Sequence, residues 1–462
     1  MRDRAVAAAR PSASATPFHG WTVLAAAFVI ISMSIGMLFT LAIFLKPMEE
    51  AMGWSRSSIS SVGLLNWVVM GLGGVLAGFI SDRIGTRAVV LVGSGLLGLG
   101  LVLCSQVSAL WQLYVTFGIL VAGGVSAFYV PLTVLAIKWF GDRRGMAASV
   151  VSAGNGAGIL LLSPLTRWLV NELDWRMAFL ILGDLAWLVV IPMALLLRDA
   201  PGTRTLEGPA VGQRALLLAA GASKWPPLSP HGGQPSGPPL SPHGGQPVGS
   251  TLSPHGSQVR APAALSPGLI FRSWPFWAIA LTHFACCAAH SGPIFHLVTH
   301  AIDQGVAKMS AASLLGLSGL SSIFGRVGTG IVADRVGAKP TLIAALMLQA
   351  LTLFAFLFVR DLGPLSALTF VFGIAYGASM PLYALVTREY FGEEALGTAF
   401  GAVFFISCIG MGLGSYGGGF LYDALGSYMW LFLASGAIGA MAVVMAIALR
   451  PPALARARAR TA

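Results

Sequence analysis

Apolar residues come in twelve runs of roughly twenty or more, and no other feature narrows the possible folds so far. Such a run cannot sit in water. Within a bilayer it must satisfy its own backbone hydrogen bonds, so it becomes a helix. The helices are predicted at about 20–47, 58–81, 87–106, 109–138, 145–170, 175–197, 272–300, 308–333, 338–360, 364–387, 396–420 and 425–449. Charge agrees: only 10% of the 462 residues are Asp, Glu, Lys or Arg, against about 25% in soluble domains. That is too little to coat a water-facing surface. A soluble enzyme, a disordered chain and a disulfide scaffold are excluded. A porin-type barrel needs alternating strands, which are not seen. Cys104, Cys286, Cys287 and Cys408 all lie inside apolar runs, where they pack rather than pair.

The chain reads as two related halves. GFISDRIGTR at 78–87 returns as GIVADRVGAK at 330–339, and Pro131 and Lys138 correspond to Pro381 and Arg388. Two six-helix bundles, 20–197 and 272–449, are therefore expected, in the parallel-repeat arrangement of many secondary transporters. Between them, 198–271 is a Pro/Gly/Ser/His-rich linker in which LSPHGGQP occurs at 228–235 and 240–247. Its histidines His231, His243 and His255 recur with the repeat and could also hold a metal loosely. Of 28 lysines and arginines, 21 fall on the side of the termini and six on the other. That bias puts the 1–19 tail, the linker and the basic 450–462 tail in the cytoplasm, for a multi-pass protein of the plasma (inner) membrane. The net charge of +11 sits in short loops and tails, so lipid is the expected partner and nucleic acid is not. No nucleophile elbow or phosphate-binding loop is present, so neither enzymatic activity nor a cofactor nor ATP-driven transport is expected.

Arg326, near the middle of helix 8, is the most informative residue. A cation there is costly unless it faces a cavity or a partner. It could clamp a carboxylate through two parallel hydrogen bonds, or make a structural bond with Asp184 or backbone carbonyls. His283 and His290 lie seven apart, nearly on one face of helix 7, and are proton-carrier candidates; satisfied buried histidines are the alternative. Asp184 in helix 6 is expected to make a local structural bond at the bundle edge, and is otherwise a third candidate for the proton. Asn155 either lines a cavity or bonds between helices. His296 and His300 are expected near the outer surface in an interfacial role, or with Asp303 at a zinc ion. In the repeated loops, Asp82 with Arg83 and Asp334 with Arg335 end their helices beside the starts of helices 11 and 5. There they could gate the halves through helix dipoles.

The twice-occurring G-x-x-x-D-R-x-G-x-[R/K] loop resembles the signature of the major facilitator superfamily. WFGDRRGMAASVVSAGNGAG at 139–158, Gly20-Trp21 and HLVTHAIDQG at 296–305 resemble the monocarboxylate transporters and their bacterial relatives, a group that also includes the oxalate:formate antiporters. The resemblance covers nearly the whole chain except the linker. It implies transport of a small monocarboxylate such as lactate or pyruvate, usually with a proton, and no cofactor. Arg326 sits where that family keeps its substrate-binding arginine, and Tyr129 resembles a substrate-contacting tyrosine of the bacterial relatives. Tyr376 and Tyr383 of helix 10 are further site candidates. Ser322 stands where animal members carry an aspartate, and helix 1 lacks their lysine; helix 11 lacks the second base of the oxalate:formate exchangers. One base balances one carboxylate, which favours monoanions. The expected activity is secondary active, proton-coupled transport by rocking of two bundles. Exchange of organic anions without proton coupling is the alternative, and a non-transporting carboxylate sensor a third reading.

Overall fold

The structure is a computed structural model that describes residues 17–140, 144–199 and 267–449. The tail through residue 16, the linker over 200–266 with its repeat histidines, and the tail from residue 450 lie outside the described residues. The described residues form twelve helices long and apolar enough to cross a membrane, and no strand. They are α1 (Pro17–Phe39 continuing as Leu41–Met52), α2 (Arg56–Ile84), α3 (Thr86–Cys104), α4 (Leu110–Trp139), α5 (Arg144–Glu172) and α6 (Trp175–Leu195). After a short helix at Pro267–Phe271 come α7 (Trp274–Asp303), α8 (Lys308–Val336), α9 (Ala338–Ala355), α10 (Leu362–Phe391), α11 (Glu393–Leu425) and α12 (Met429–Ala448).

Several helix ends differ from the sequence expectation, α9 stopping at Ala355 rather than near 360 and α11 running on to Leu425 rather than 420, and the first and fourth helices depart further. The first continues to Met52 instead of ending near residue 47, so Lys46 lies more than a turn before its end rather than at it. Thr40 interrupts it, its hydroxyl donating to the Met37 carbonyl at 2.6 Å, and Gly53 ends it with φ of 68°. The fourth is not one uninterrupted helix. It contains a π-helical stretch at Tyr114–Val121 and breaks at Ala127–Phe128 before resuming at Tyr129. Pro131 has no N–H to offer the Ala127 carbonyl, and its ring crowds that position. Pro381, the matching residue of the second half, leaves α10 continuous, so the proline permits the break without imposing it.

The repeated loop motif reappears in the backbone. Gly85 and Gly337 hold the same left-handed turn, with φ of 88° and 97°, which a side chain would strain. Large apolar side chains such as Leu76, Phe79, Leu188 and Val444 point outward, as a lipid-facing surface requires. In the most apolar stretch of α7, 89% of residues are buried, against 33% for α2. The most histidine-rich helix is thus also the one most enclosed by protein.

Candidate functional site

Arg326 lies in α8 and is partly buried. It reaches α5 because those two helices touch at glycines. A Cβ on Gly156 would lie 2.6 Å from Ile323 Cγ1 and 2.9 Å from Ser322 Oγ, so only glycine permits the crossing. Across it, Arg326 Nη1 donates to Ser152 Oγ at 3.0 Å and to the Ser152 carbonyl at 3.3 Å. Its Nε is buried with no partner. Of the two structural alternatives, the ion pair with Asp184 is not formed, since Asp184 is exposed on α6, whereas a bond to a backbone carbonyl is present, to that of Ser152.

Two predicted residues lie within electrostatic reach of Arg326: His290 and Tyr376. The Tyr376 ring stacks on the His290 ring at 5.5 Å between centroids and 17° between planes. Tyr376 donates its hydroxyl proton to the Ser318 carbonyl at 3.3 Å. His290 Nδ1 is 2.7 Å from the Cys286 carbonyl. A carbonyl only accepts, so Nδ1 carries the proton and Nε2 of the neutral ring offers a lone pair. Ser322 is buried one turn before Arg326, donating to the Gly319 carbonyl at 2.7 Å. Asn155 is one turn along α5 from Ser152, its Oδ1 buried without a partner.

The remaining candidates sit elsewhere. Tyr129 is half-buried where α4 resumes, its ring parallel to Phe404 of α11 at 6.2 Å. Tyr383 is fully buried, donates to the Thr282 carbonyl at 3.2 Å and stacks on His283 at 3.9 Å. That pair lies two turns, about 10 Å, from Tyr376 and His290 along their helices. Neither ring nitrogen of His283 has a partner. Asp184 is exposed in an outward groove with Ile181, Leu185, Trp187, Leu188, Ile191 and Pro192. At the end carrying the termini, Arg83, Asp334 and Arg335 are exposed, and the Arg83 guanidinium covers the Phe79 ring at 4.2 Å. The side chain of Asp82 lies outside the described residues.

The opposite end carries a group the sequence reading missed. Arg56, only 1% exposed, donates from Nε to Glu49 at 3.0 Å, and from Nη1 to Asp303 and to the Tyr428 hydroxyl. Its guanidinium also lies 3.7 Å from the Tyr422 ring centroid. Lys46 reaches Asp303 at 3.1 Å. Asp423 of α11 caps α2 by accepting from the Ser57 amide at 2.8 Å. Burial pushes the Tyr428 hydroxyl above its ordinary value, so it keeps its proton. It passes that proton's hydrogen bond to His296 Nδ1 at 3.0 Å, and His296 Nε2 donates to the Ser415 carbonyl at 3.0 Å. Every salt bridge among the described residues is at this end: Lys46–Glu49 within α1, Arg56–Glu49 between α2 and α1, and Lys46 and Arg56 to Asp303 of α7. His296 and His300 are therefore buried in protein rather than interfacial, His300 packing on Phe432 at 4.9 Å. Asp303 serves the arginine, and no metal-binding cluster occurs among the described residues. A lone outer arginine three residues past a left-handed glycine was the available signal, but Glu49 alone of its partners is near in sequence; Asp303 and Tyr428 are 247 and 372 residues away.

The family model for the Major Facilitator Superfamily matches residues 23–415 and 329–462. Monocarboxylate transporter 11 of Mus musculus is 28% identical over 423 residues, covering 90% of this chain and 83% of that protein. Monocarboxylate transporter 4 of Mus musculus is 26% identical over 422 residues, covering 90% and 80%. Monocarboxylate transporter 2 of Homo sapiens is 25% identical over 445 residues, covering 93% and 86%. Among solved structures, a bacterial homologue of the human lysosomal transporter Spinster, in an inward-facing and unoccupied conformation, superposes with a TM-score of 0.62. It is 14% identical, and the match covers 93% of this chain and 95% of that one. That likeness speaks for the fold.

Proposed function

The chain belongs to the major facilitator superfamily, and from that premise we propose that it carries small monocarboxylates, lactate- or pyruvate-like, across the plasma membrane together with a proton. One observation carries this reading: a single arginine, Arg326, at the α5–α8 crossing, with a buried N–H donor that has no acceptor. A cation at that depth is stable only with a counter-group, and a carboxylate supplies both the charge and the acceptor. The relatives named as monocarboxylate transporters support the substrate class. Asn155, Tyr376 and Ser322 are the side chains we assign to the cavity around the anion, while Tyr129 packs against Phe404 and Tyr383 against His283.

His290 is the proton carrier in this reading, because the Cys286 carbonyl fixes its Nδ1–H and leaves the Nε2 lone pair open; the Arg326 cation opposes its protonation until the bound anion neutralises that charge, which ties proton uptake to substrate. Asp184 faces away from both, and His283 lies two turns off. Binding of the anion neutralises Arg326 and lowers the cost of closing the cavity against water. The first six and last six helices then rock as two bundles about the site. The Arg56 network latches one end in the state described. Asp82, Arg83, Asp334 and Arg335 latch the other end in the opposite state. The excess of bases on the side of the termini supports a cytoplasmic location for both tails.

The test is uptake of radiolabelled L-lactate into proteoliposomes under an acid-outside pH gradient. Accumulation that a protonophore abolishes is the expected result. Uptake that instead requires a trapped organic anion and ignores the pH gradient would replace symport with exchange. Saturable binding without uptake would make the protein a sensor.

A further inference from the structure

Arg326 offers five N–H donors in a rigid plane, arranged as two edges suited to bidentate acceptors and one shared corner. The structure fills those edges unequally. Nη1 gives its bonds to Ser152 Oγ at 3.0 Å and to the Ser152 carbonyl at 3.3 Å. Nε, on the far edge, is buried and has no partner. We propose that Ser152 is a positioning residue: by holding Nη1 from α5, it turns the Nε/Nη2 edge of Arg326 toward the substrate, and the carboxylate docks side-on along that edge. The proposal rests on the monocarboxylate reading and deepens it by naming the edge and the residue that presents it.

Three features of the crossing support it. Arg326 has no acidic partner among the described salt bridges, so nothing on its own helix fixes the guanidinium plane. Ser152 is uncharged. It can orient the cation without neutralising it, which leaves the charge for the anion. The crossing itself is stiff, because Gly156 and Ser322 touch across it and helix α8 also packs tightly on α10 through Gly325, whose Cβ would lie 2.8 Å from the Ala378 amide. An arginine side chain has many rotamers, and holding one of them in advance lowers the cost of binding. A serine at this place costs little in helix stability and supplies two acceptors, a hydroxyl and a carbonyl, from one residue.

The test uses the full chain in proteoliposomes with radiolabelled L-lactate, comparing wild type with Ser152→Ala and with the isosteric pair Ser152→Thr and Ser152→Val. Thr keeps the hydroxyl; Val keeps the same shape without it. The expected result is that Ala and Val raise KM about tenfold, the factor a hydrogen bond to a charged group carries, with the maximal rate per inserted protein unchanged. Thr returns KM to within about twofold of wild type. In an Arg326→Lys background, a point charge with no edge to orient, the Ser152→Val change should add nothing to KM. A purely structural role would lower the maximal rate and the amount of inserted protein, and would treat Thr and Val alike. Equal KM for wild type, Thr and Val overturns the proposal, as does a fall in rate at constant KM. A wild type that responds to neither L-lactate nor pyruvate overturns the monocarboxylate reading and this proposal with it. If Ala fails to insert, the Thr/Val comparison decides alone.

Discussion

The guanidinium of Arg56 meets the carboxylate of Asp303 across 247 residues of sequence, and the bond joins the start of α2 to the end of α7. The two ends of that bond differ in exposure: the Arg56 side chain is 2% exposed and that of Asp303 20%. Lys46, on the same carboxylate, is 22% exposed. Burial decides which cation matters. Arg56→Gln leaves two carboxylates without their enclosed partner and is expected to destabilise by about 2–4 kcal/mol. Lys46→Gln removes a solvent-screened contact and is expected to cost under about 1 kcal/mol. Thermal unfolding of the purified variants checks the order; equal losses would mean the network is held by its rim.

Arg326→Gln is expected to insert and fold, since Arg326 forms no ion pair among the described residues that the change would break. Carboxylate uptake should fall about 100-fold, the loss expected when one partner of an enclosed charge pair is removed. Arg326→Lys should recover part of that, because a point charge attracts the anion without matching it in two bonds. Uptake kinetics in proteoliposomes separate the three proteins. Full activity in the glutamine variant would end the clamp assignment.

Much of this was legible before any coordinates. Twelve runs, a doubled loop motif and one arginine in an apolar helix led to the fold class and to Arg326, because membrane depth penalises each polar residue individually. The Gly85 and Gly337 turns followed from the motif alone. What could not be read is the company each residue keeps. Tyr383 and Tyr376 look alike in sequence, yet one stacks on His283 inside the packing and the other on His290 beside Arg326. Asp184 and Arg326 both lie at membrane depth, but helix rotation sends the acid outward. Ser152 was one small residue among many in α5. Its role needs the Gly156 crossing, and its bond to Arg326 spans 174 residues, which no local pattern encodes.

The two deep histidines of α7 should behave differently. His290 has its tautomer fixed by the Cys286 carbonyl, with Nε2 open, whereas His283 has neither nitrogen bonded and lies flat on Tyr383. His290→Gln is expected to abolish accumulation driven by an acid-outside gradient while retaining exchange of labelled for unlabelled lactate, because only the proton acceptor is lost. His283→Phe keeps the stacked ring and should hold accumulation within about twofold of wild type. Gradient-driven uptake and counterflow measured on the same vesicles distinguish the steps. The reverse pattern would move the proton to His283.

The closed end also depends on a glycine, and that dependence can be used to open it. A Cβ on Gly419 of α11 would lie 2.6 Å from the Arg56 carbonyl oxygen and 2.7 Å from Ser60 Oγ, so Gly419→Ala must push α11 away from α2. Backbone cannot yield as a flexible side chain can, and the same displacement pulls Tyr428 and Asp423 from Arg56 and Ser57. Gly417→Ala is the control, since its Cβ would meet nothing within 4 Å. A cysteine at Ser60, fully buried in the closed state, reports the opening; the four native cysteines are all buried. A membrane-impermeant maleimide should label Ser60→Cys about tenfold faster with Gly419→Ala than with Gly417→Ala, a shift of ~1.4 kcal/mol between closed and open populations. Equal labelling would mean that α2 and α11 part elsewhere, and that the Arg56 network is a brace within a rigid end.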